Sequence, residues 1–360
     1  MANPLASVRH RQGRLIGHME ALGFPLRQEA VLQTLTEDVV KSSEIEGEIL
    51  DVGQVRSSVA RRLGMDAGGV EKVGRDVEGV VEMMLDATRN FDRPLSAERL
   101  FAWHASLFPT GRSGMRKIRT GAWRDDETGP MQVVSGPVGR EKVHFEAPAS
   151  ERLDGEIQAF LEWIDRAPSD SDPHAGADPV LSAGLAHLWF VTIHPFADGN
   201  GRIARAIGDL VLARSEGSPQ RYYSLSAQIR KERKEYYAIL EQTQRGTLDV
   251  TPWLIWFLAC LGRAIDGAQA TLALVLYKAR FWQALEDTEV NARQRLVLNR
   301  LLDGLEGALT TSKWSKLARC SSDTALRDIL ELVERGVLVR GPEGGRSTSY
   351  KLSGEVRSAI

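Results

Sequence analysis

The sequence predicts an all-α fold with one small β hairpin, followed by a second, smaller domain. Three observations carry this. Apolar residues recur at helical spacing through most of the first 287 residues, as in Leu32, Leu35, Val39 and Val40, or Val73, Val77, Val80, Val81 and Met84. Residues 109–148 interrupt that period with glycines, charge and two short extended runs. From Thr288 the pattern shortens to three brief helices, then a strand, a glycine-rich tip and a strand.

Taken in order, the first residues read as helical up to a break at Gly23-Phe24-Pro25. A second helical run then passes through Ser42-Ser43-Glu44-Ile45-Glu46 to Gly47, a helix terminator, and it puts Ser42 and Glu46 on one face. Asp51 suits the N-cap of a helix reaching about residue 63, residues 64–69 read as a break, and helical spacing resumes over 70–90. After Pro94, Ser96 is a candidate N-cap for a helix carrying Leu100, Phe101, Trp103 and Leu107; Glu98 follows too soon for a capping box. The extended runs are 131–134 and 142–145, and the Gly- and Pro-containing stretch between them predicts a hairpin with a long loop. Apolar segments 181–193 and 203–213 read as two buried helices. Residues 230–240 form a charged helix bearing Tyr236 and Tyr237. Thr251-Pro252-Trp253 opens a strongly apolar helix with Pro252 in its first turn, helical to about residue 286.

Between the two buried helices lies His194-Pro195-Phe196-Ala197-Asp198-Gly199-Asn200-Gly201-Arg202-Ile203-Ala204-Arg205. Gly199 and Gly201 let the backbone bend sharply and approach a ligand, and the following helix offers unpaired N–H groups to an anion. Arg202 and Arg205, three apart, share a helix face, and their guanidinium forks match phosphate oxygens. Asp198 offers a hard oxygen ligand suited to Mg²⁺, which takes one or two carboxylates beside substrate phosphates. His194 has the side chain whose ordinary pKa lies near neutrality, fit to take a proton from a hydroxyl.

These residues fit, position for position, the motif of the Fic family, and the sequence resembles Fic-domain nucleotidyltransferases, which move AMP from ATP onto a protein hydroxyl. The resemblance implies that His194 is the general base, that Asp198 holds Mg²⁺, and that Asn200 with the amides of Gly199 and Gly201 binds the phosphates. It further implies that Arg202 and Arg205 grip the outer phosphates and that Phe196 anchors the loop. Residues 42–47 resemble the family's inhibitory helix motif, a Ser or Thr, three residues, then Glu and Gly or Asn. By that resemblance Ser42, Glu46 and Gly47 form an N-terminal inhibitory segment in which Glu46 pairs with Arg205 and occupies the space of the γ-phosphate. Residues 118–124 resemble the approach to the Fic flap, so the hairpin at 131–145 would align the target segment by strand addition. Tyr236 and Tyr237 fall where the resemblance places the nucleoside site; tyrosines on a helix are as often packing residues.

The tail divides into helices over 293–302, 311–318 and 322–335 and strands over 337–340 and 349–352, an order that resembles a winged helix-turn-helix domain. Ser321 or Ser322 would cap a recognition helix carrying Thr324 and Arg327, and Arg346 would sit in the wing. Residues 288–353 hold 11 Lys and Arg against 8 Asp and Glu, a small excess that leaves DNA contact and protein contact both open. The expected division is thus an N-terminal helical region with the inhibitory helix (1–90), a Fic domain (91–287) and a winged-helix-like domain (288–360).

Composition bounds the partners. A chain of 360 residues with 42% hydrophobic and 26% charged residues can bury a sizeable core, and a formal net charge of −2 gives no global field toward nucleic acid or membrane. Cys260 and Cys320 stand alone, in no metal-ligand spacing, as suits a reducing compartment. The first 14 residues are polar, and the most apolar run, 250–262, is short of the roughly 20 residues a membrane span needs. The expectation is a cytoplasmic enzyme using ATP and Mg²⁺ on a protein target, with no membrane partner and with a homodimer left open. Removal of AMP from a modified protein, and a DNA-binding regulator with a nucleotide-sensing Fic domain, are the alternatives; other Fic-like enzymes transfer UMP or phosphocholine.

Overall fold

The computed structural model describes residues 2–20, 24–65, 73–127, 129–137, 140–166, 178–286, 288–302, 304–305, 307–341 and 348–353. It contains two compact units, Met1–Gln269 and Ala270–Ile360.

The first unit is helical. Helices α1 (Ala2–Glu20) and α2 (Phe24–Ile45) are followed by α3 (Val52–Arg62), α4 (Arg75–Arg89) and α5 (Ala97–Leu107). Asp51 caps α3 by accepting from Gln54 N (2.8 Å), and Ser96 caps α5 by accepting from Arg99 N (3.2 Å), as expected. Pro25 lies in the first turn of α2, where a missing N–H costs nothing, so the helix begins at Phe24 instead of after a three-residue break. Residues 21–23 and most of the expected break at 64–69 lie outside the described residues.

Two small hairpins come next: β1 (Arg112–Ser113) with β2 (Arg116–Lys117), and β3 (Gln132–Ser135) with β4 (Lys142–Glu146), both antiparallel. The second is the expected hairpin, with a register shift between Val133 and Val134. Helix α6 (Leu153–Ile164) leads to α7 (Pro179–Ile193) and α8 (Asn200–Glu216), which pack together at the centre with α4 and α5 alongside. Asp178 caps α7, accepting from Val180 N (2.8 Å), with Pro179 in the first turn. Apolar residues surround α7, and Val180, Ala183, Leu188, Phe190, Val191 and Ile193 are all buried, the pattern of a helix enclosed on every side. The expected single helix over 230–240 is two, α9 (Leu225–Lys231) and α10 (Arg233–Arg245), separated at Glu232.

Helix α11 (Thr251–Ala284) carries the apolar run 250–262. It is longer than that run, and by length and composition it could cross a membrane; half of its apolar window is buried, with Trp253, Phe257, Leu258 and Leu261 in the core. In the second unit, α12 (Ala292–Leu302), α13 (Thr311–Ala318) and α14 (Ser322–Glu334) precede the antiparallel strands β5 (Leu338–Arg340) and β6 (Tyr350–Leu352). Trp314, Val297, Ile329, Leu332 and Leu338 form its core. Ser321, not Ser322, caps α14 by accepting from Thr324 N (3.2 Å). This order is compatible with a winged helix-turn-helix; the tip with Arg346 lies outside the described residues.

Candidate active site

Helix α7 ends at His194, whose backbone is left-handed (φ 51, ψ 55), and α8 begins after Gly199 (φ 81). Gly199 answers two demands, because a Cβ there would also lie 2.9 Å from the Phe108 ring. The loop between is clipped by Asn200, whose Oδ1 accepts from Phe196 N (3.0 Å) while Nδ2 donates to Phe196 O (2.7 Å). Its carboxamide is therefore engaged in shaping the loop. Phe196 is fully buried, stacked on the His104 ring (4.2 Å, 9°) and against Trp123 (5.0 Å), so it anchors the loop as the motif implied. Arg124, itself buried, holds the loop from outside: Nε donates to His194 O (2.9 Å), its backbone N–H to Pro195 O (2.9 Å), and Nη2 to Pro148 O.

His194 Nδ1 donates to Val191 O (3.2 Å), which fixes the tautomer and leaves the lone pair on Nε2. Burial lowers its pKa below the ordinary histidine value, helped by Arg124 and opposed by the Val191 bond, Glu46 and Asp198. The Asp198 carboxylate accepts from Gly199 N on Oδ1 (2.6 Å) and from the Ser113 hydroxyl on Oδ2. Behind it, His104 Nδ1 accepts from Gly121 N (3.0 Å), and burial pushes its pKa down to about 4. His104 is therefore neutral in the working range.

Arg202 and Arg205, near the start of α8, are nearly enclosed. Arg205 donates from Nε to Ser42 Oγ (2.9 Å) and from Nη2 to Ser42 O (2.8 Å), and its Nη1 lies 2.8 Å from Glu46 Oε1. Burial works against its charge, yet Glu46 foremost among its neighbours outweighs that and raises its pKa. Glu46 rests on the first turn of α8, since a Cβ built on Gly201 would meet Oε1 at 2.2 Å. Gly47 (φ 88) turns the chain away from α2 just beyond it. Arg202 is paired with Glu48 and lies over the Phe108 ring (5.1 Å). The structure thus brings Ser42 and Glu46, with Gly47 just beyond, against Arg205 and the first turn of α8, beside the loop that holds His194 and Asp198.

The two tyrosines part company. Tyr236 is 1% exposed, its hydroxyl bonded to His187 Nε2 (2.9 Å) and its ring among Trp253 and Trp256, and burial raises its pKa. It is a core residue, which corrects its placement on a nucleoside surface. Tyr237 is 38% exposed, with its hydroxyl 3.4 Å from Glu46 Oε2 and the Arg233 guanidinium over its ring. In the second hairpin, β4 is tied to α10 through His144 to Glu241 (2.6 Å) and Arg245 to Val143 O (3.0 Å). The outer edge of β3 has no strand partner among the described residues. Sequence reasoning missed Arg124, His104, Ser113, Phe108 and Glu48 as members of the site. Arg124 closes the segment 118–124 and Glu48 directly follows 42–47, and nothing in their spacing announces where they point.

Residues 94–212 match the family model described as the Fic/DOC family, and residues 1–65 match one described as a domain of unknown function (DUF4172). A protein adenylyltransferase Fic from Nematostella vectensis is 34% identical over 128 residues, 35% of this chain and 27% of that protein. Protein adenylyltransferase fic-1 from Caenorhabditis elegans is 29% identical over 205 residues, 57% of this chain and 35% of that protein. The chain therefore spans about a third or less of the length of these curated relatives. A crystal structure of a Fic family protein from Desulfovibrio desulfuricans superposes with a TM-score of 0.55 at 21% identity, covering 98% of this chain and 95% of that one. A Fic domain containing signaling protein from Bacteroides thetaiotaomicron superposes with a TM-score of 0.54 at 20% identity, covering 74% and 97%. Both share the fold.

Proposed function

We propose, on the premise that residues 94–212 are a Fic domain, that this chain transfers AMP from ATP onto a Ser, Thr or Tyr hydroxyl of a target protein, and that Glu46 holds the reaction in check. The observation that carries the reading is the convergence of an acceptor nitrogen on His194, the Asp198 carboxylate, the N-terminus of α8 and two arginines within one loop. The printed names of the curated relatives, protein adenylyltransferases, point the same way.

The chemistry follows from the placement. A target hydroxyl gives its proton to His194 Nε2 as its oxygen bonds to the α-phosphorus; the bond from that phosphorus to the bridging oxygen breaks, and pyrophosphate leaves. Arg202, Arg205 and the α8 amides bear the charge that develops on the departing phosphates. The chemistry of Asp198 suits Mg²⁺, a hard cation that takes one or two carboxylates beside substrate phosphates. When bound, Mg²⁺ would neutralise phosphate charge beside Asp198. In the reading proposed here the open edge of β3 takes the target segment as an added strand, with Val134 exposed on it.

A second reading, removal of AMP from a modified protein, draws on the position of Glu46, whose carboxylate lies at the same loop and would orient a water. The regulator reading has less support. The exposed residues of α14, Ser322, Asp323, Leu326, Arg327, Leu330 and Glu334, carry one cation and two carboxylates, a poor match to a phosphate backbone. The test is to incubate the Glu46→Gly variant with each labelled nucleotide in cell lysate and identify the modified protein by mass spectrometry. Transfer of AMP is expected; label from UTP in preference to ATP, or loss of AMP from a pre-modified protein with no transfer, would overturn the proposal.

A further inference from the structure

Beside Arg202 lies a cavity of about 500 Å³ whose charged lining also includes Arg112 from β1, Arg75 and Asp76 from the start of α4, and Glu48, three guanidinium groups against two carboxylates. Arg202 is 3% exposed along its side chain and is held by the Glu48 carboxylate on one side and the Phe108 ring on the other. Glu48 is the weaker partner, 46% exposed and close to the negative groups Asp198, Glu46 and Asp76. Burial raises its pKa first of all; Arg202 pulls it down, and those three carboxylates push it up again. A single carboxylate therefore sits, among like charges, on a guanidinium that shares its cavity with two more.

We infer that this cavity is a binding site for a multivalent phosphate anion, formed by Arg202, Arg112 and Arg75 and filled in the resting protein by the Glu48 carboxylate. The inference deepens the AMP-transfer reading: the triphosphate displaces two carboxylates, Glu46 from Arg205 and Glu48 from Arg202, and its outer end reaches arginines outside the loop. A polyphosphate can pair with three guanidinium groups where Glu48 pairs with one, and by parallel hydrogen bonds where the geometry allows. Displacement does not require α2 to unwind. That helix ends at Ile45, and the Glu48 backbone N–H is anchored to Ser43 O (3.0 Å), so the side chain alone can swing out.

The experiment is calorimetric titration of the full chain with inorganic tripolyphosphate in the absence of nucleotide and metal. Glu48→Gln should bind about tenfold more tightly than the parent, the hold of one charge-assisted hydrogen bond. Adding Arg112→Ala or Arg75→Ala to Glu48→Gln should remove most of that gain. Both arginines are exposed, so these variants are expected to fold, which thermal melting checks. Affinity of Glu48→Gln within twofold of the parent, or an unchanged affinity when either outer arginine is removed, would overturn the inference. The titration involves no transfer, so failure to find a target protein leaves it standing, and a negative titration leaves AMP transfer standing.

Discussion

Replacing Glu46 by glycine removes the carboxylate that Arg205 holds at 2.8 Å. Coulomb's law at an effective dielectric of 20 gives about 6 kcal/mol for such a pair. Much of that is returned as water or a ligand reaches the freed guanidinium. The net hold is nearer the range of a charge-assisted hydrogen bond, about 1.5–3 kcal/mol, or roughly 10- to 150-fold in competition with an incoming phosphate. The two contacts from Ser42 remain, so Arg205 stays in place. Position 46 lies just past the end of α2, so glycine there interrupts no helix. Transfer from labelled ATP, measured on the chain itself and on lysate proteins, should rise by that factor, chiefly through a lower KM for ATP. Adding Arg205→Ala should cancel the gain, making the two changes non-additive. A Glu46→Gly variant that melts like the parent and transfers no faster on any hydroxyl target would show that Glu46 does not restrain the site.

His194→Ala should lower transfer by about 10² to 10⁴-fold while leaving ATP binding measurable, because the base is lost and the phosphate cradle is not. Since burial lowers the His194 pKa, the base is unprotonated above a value beneath the ordinary 6.5. In the Glu46→Gly variant, kcat/KM should stay level as pH falls through that ordinary value and drop only below it; a fall centred above 6.5 would contradict the assignment. Asp198→Ala should suppress the dependence of ATP binding on Mg²⁺, read by titrating the metal, and an unchanged dependence counts against the ligand role. Phe196→Ala should cost about 3–5 kcal/mol of stability in denaturant unfolding, since the ring is fully buried against His104 and Trp123. A loss under about 1 kcal/mol would mean that the loop is not anchored there.

The loop itself was legible because its chemistry is local. His194, Asp198, the glycines and the arginines stand within twelve residues of one another, and glycine at 199 is required both by a positive φ and by the Phe108 ring. Ser42 to Gly47 was legible for the same reason, as one turn of helix and its terminator. What the sequence concealed were partners fixed by tertiary packing. Arg124 reaches the His194 carbonyl across 70 positions and Glu48 reaches Arg202 across 154, and neither distance leaves a trace in spacing. Tyr236 and Tyr237 are adjacent, so a helix must turn them by about 100° from each other; only packing decides which one faces the core. Helix α6 carries only a brief amphipathic signal, Leu153, Ile157 and Phe160, directly after the irregular stretch 109–148. Strands β1 and β2, two residues each, are too short for any period to show.

Transfer of AMP by the His194 loop under restraint from Glu46 can be followed with unlabelled ATP, the Glu46→Gly variant and a protein acceptor. Intact-mass spectrometry counts AMP on protein, and a coupled assay counts pyrophosphate. One pyrophosphate should be released for each AMP bound to a hydroxyl, with both signals lost when His194→Ala is added. Pyrophosphate or phosphate release without AMP on protein, or AMP transfer that survives His194→Ala at the same rate, would contradict transfer by this loop.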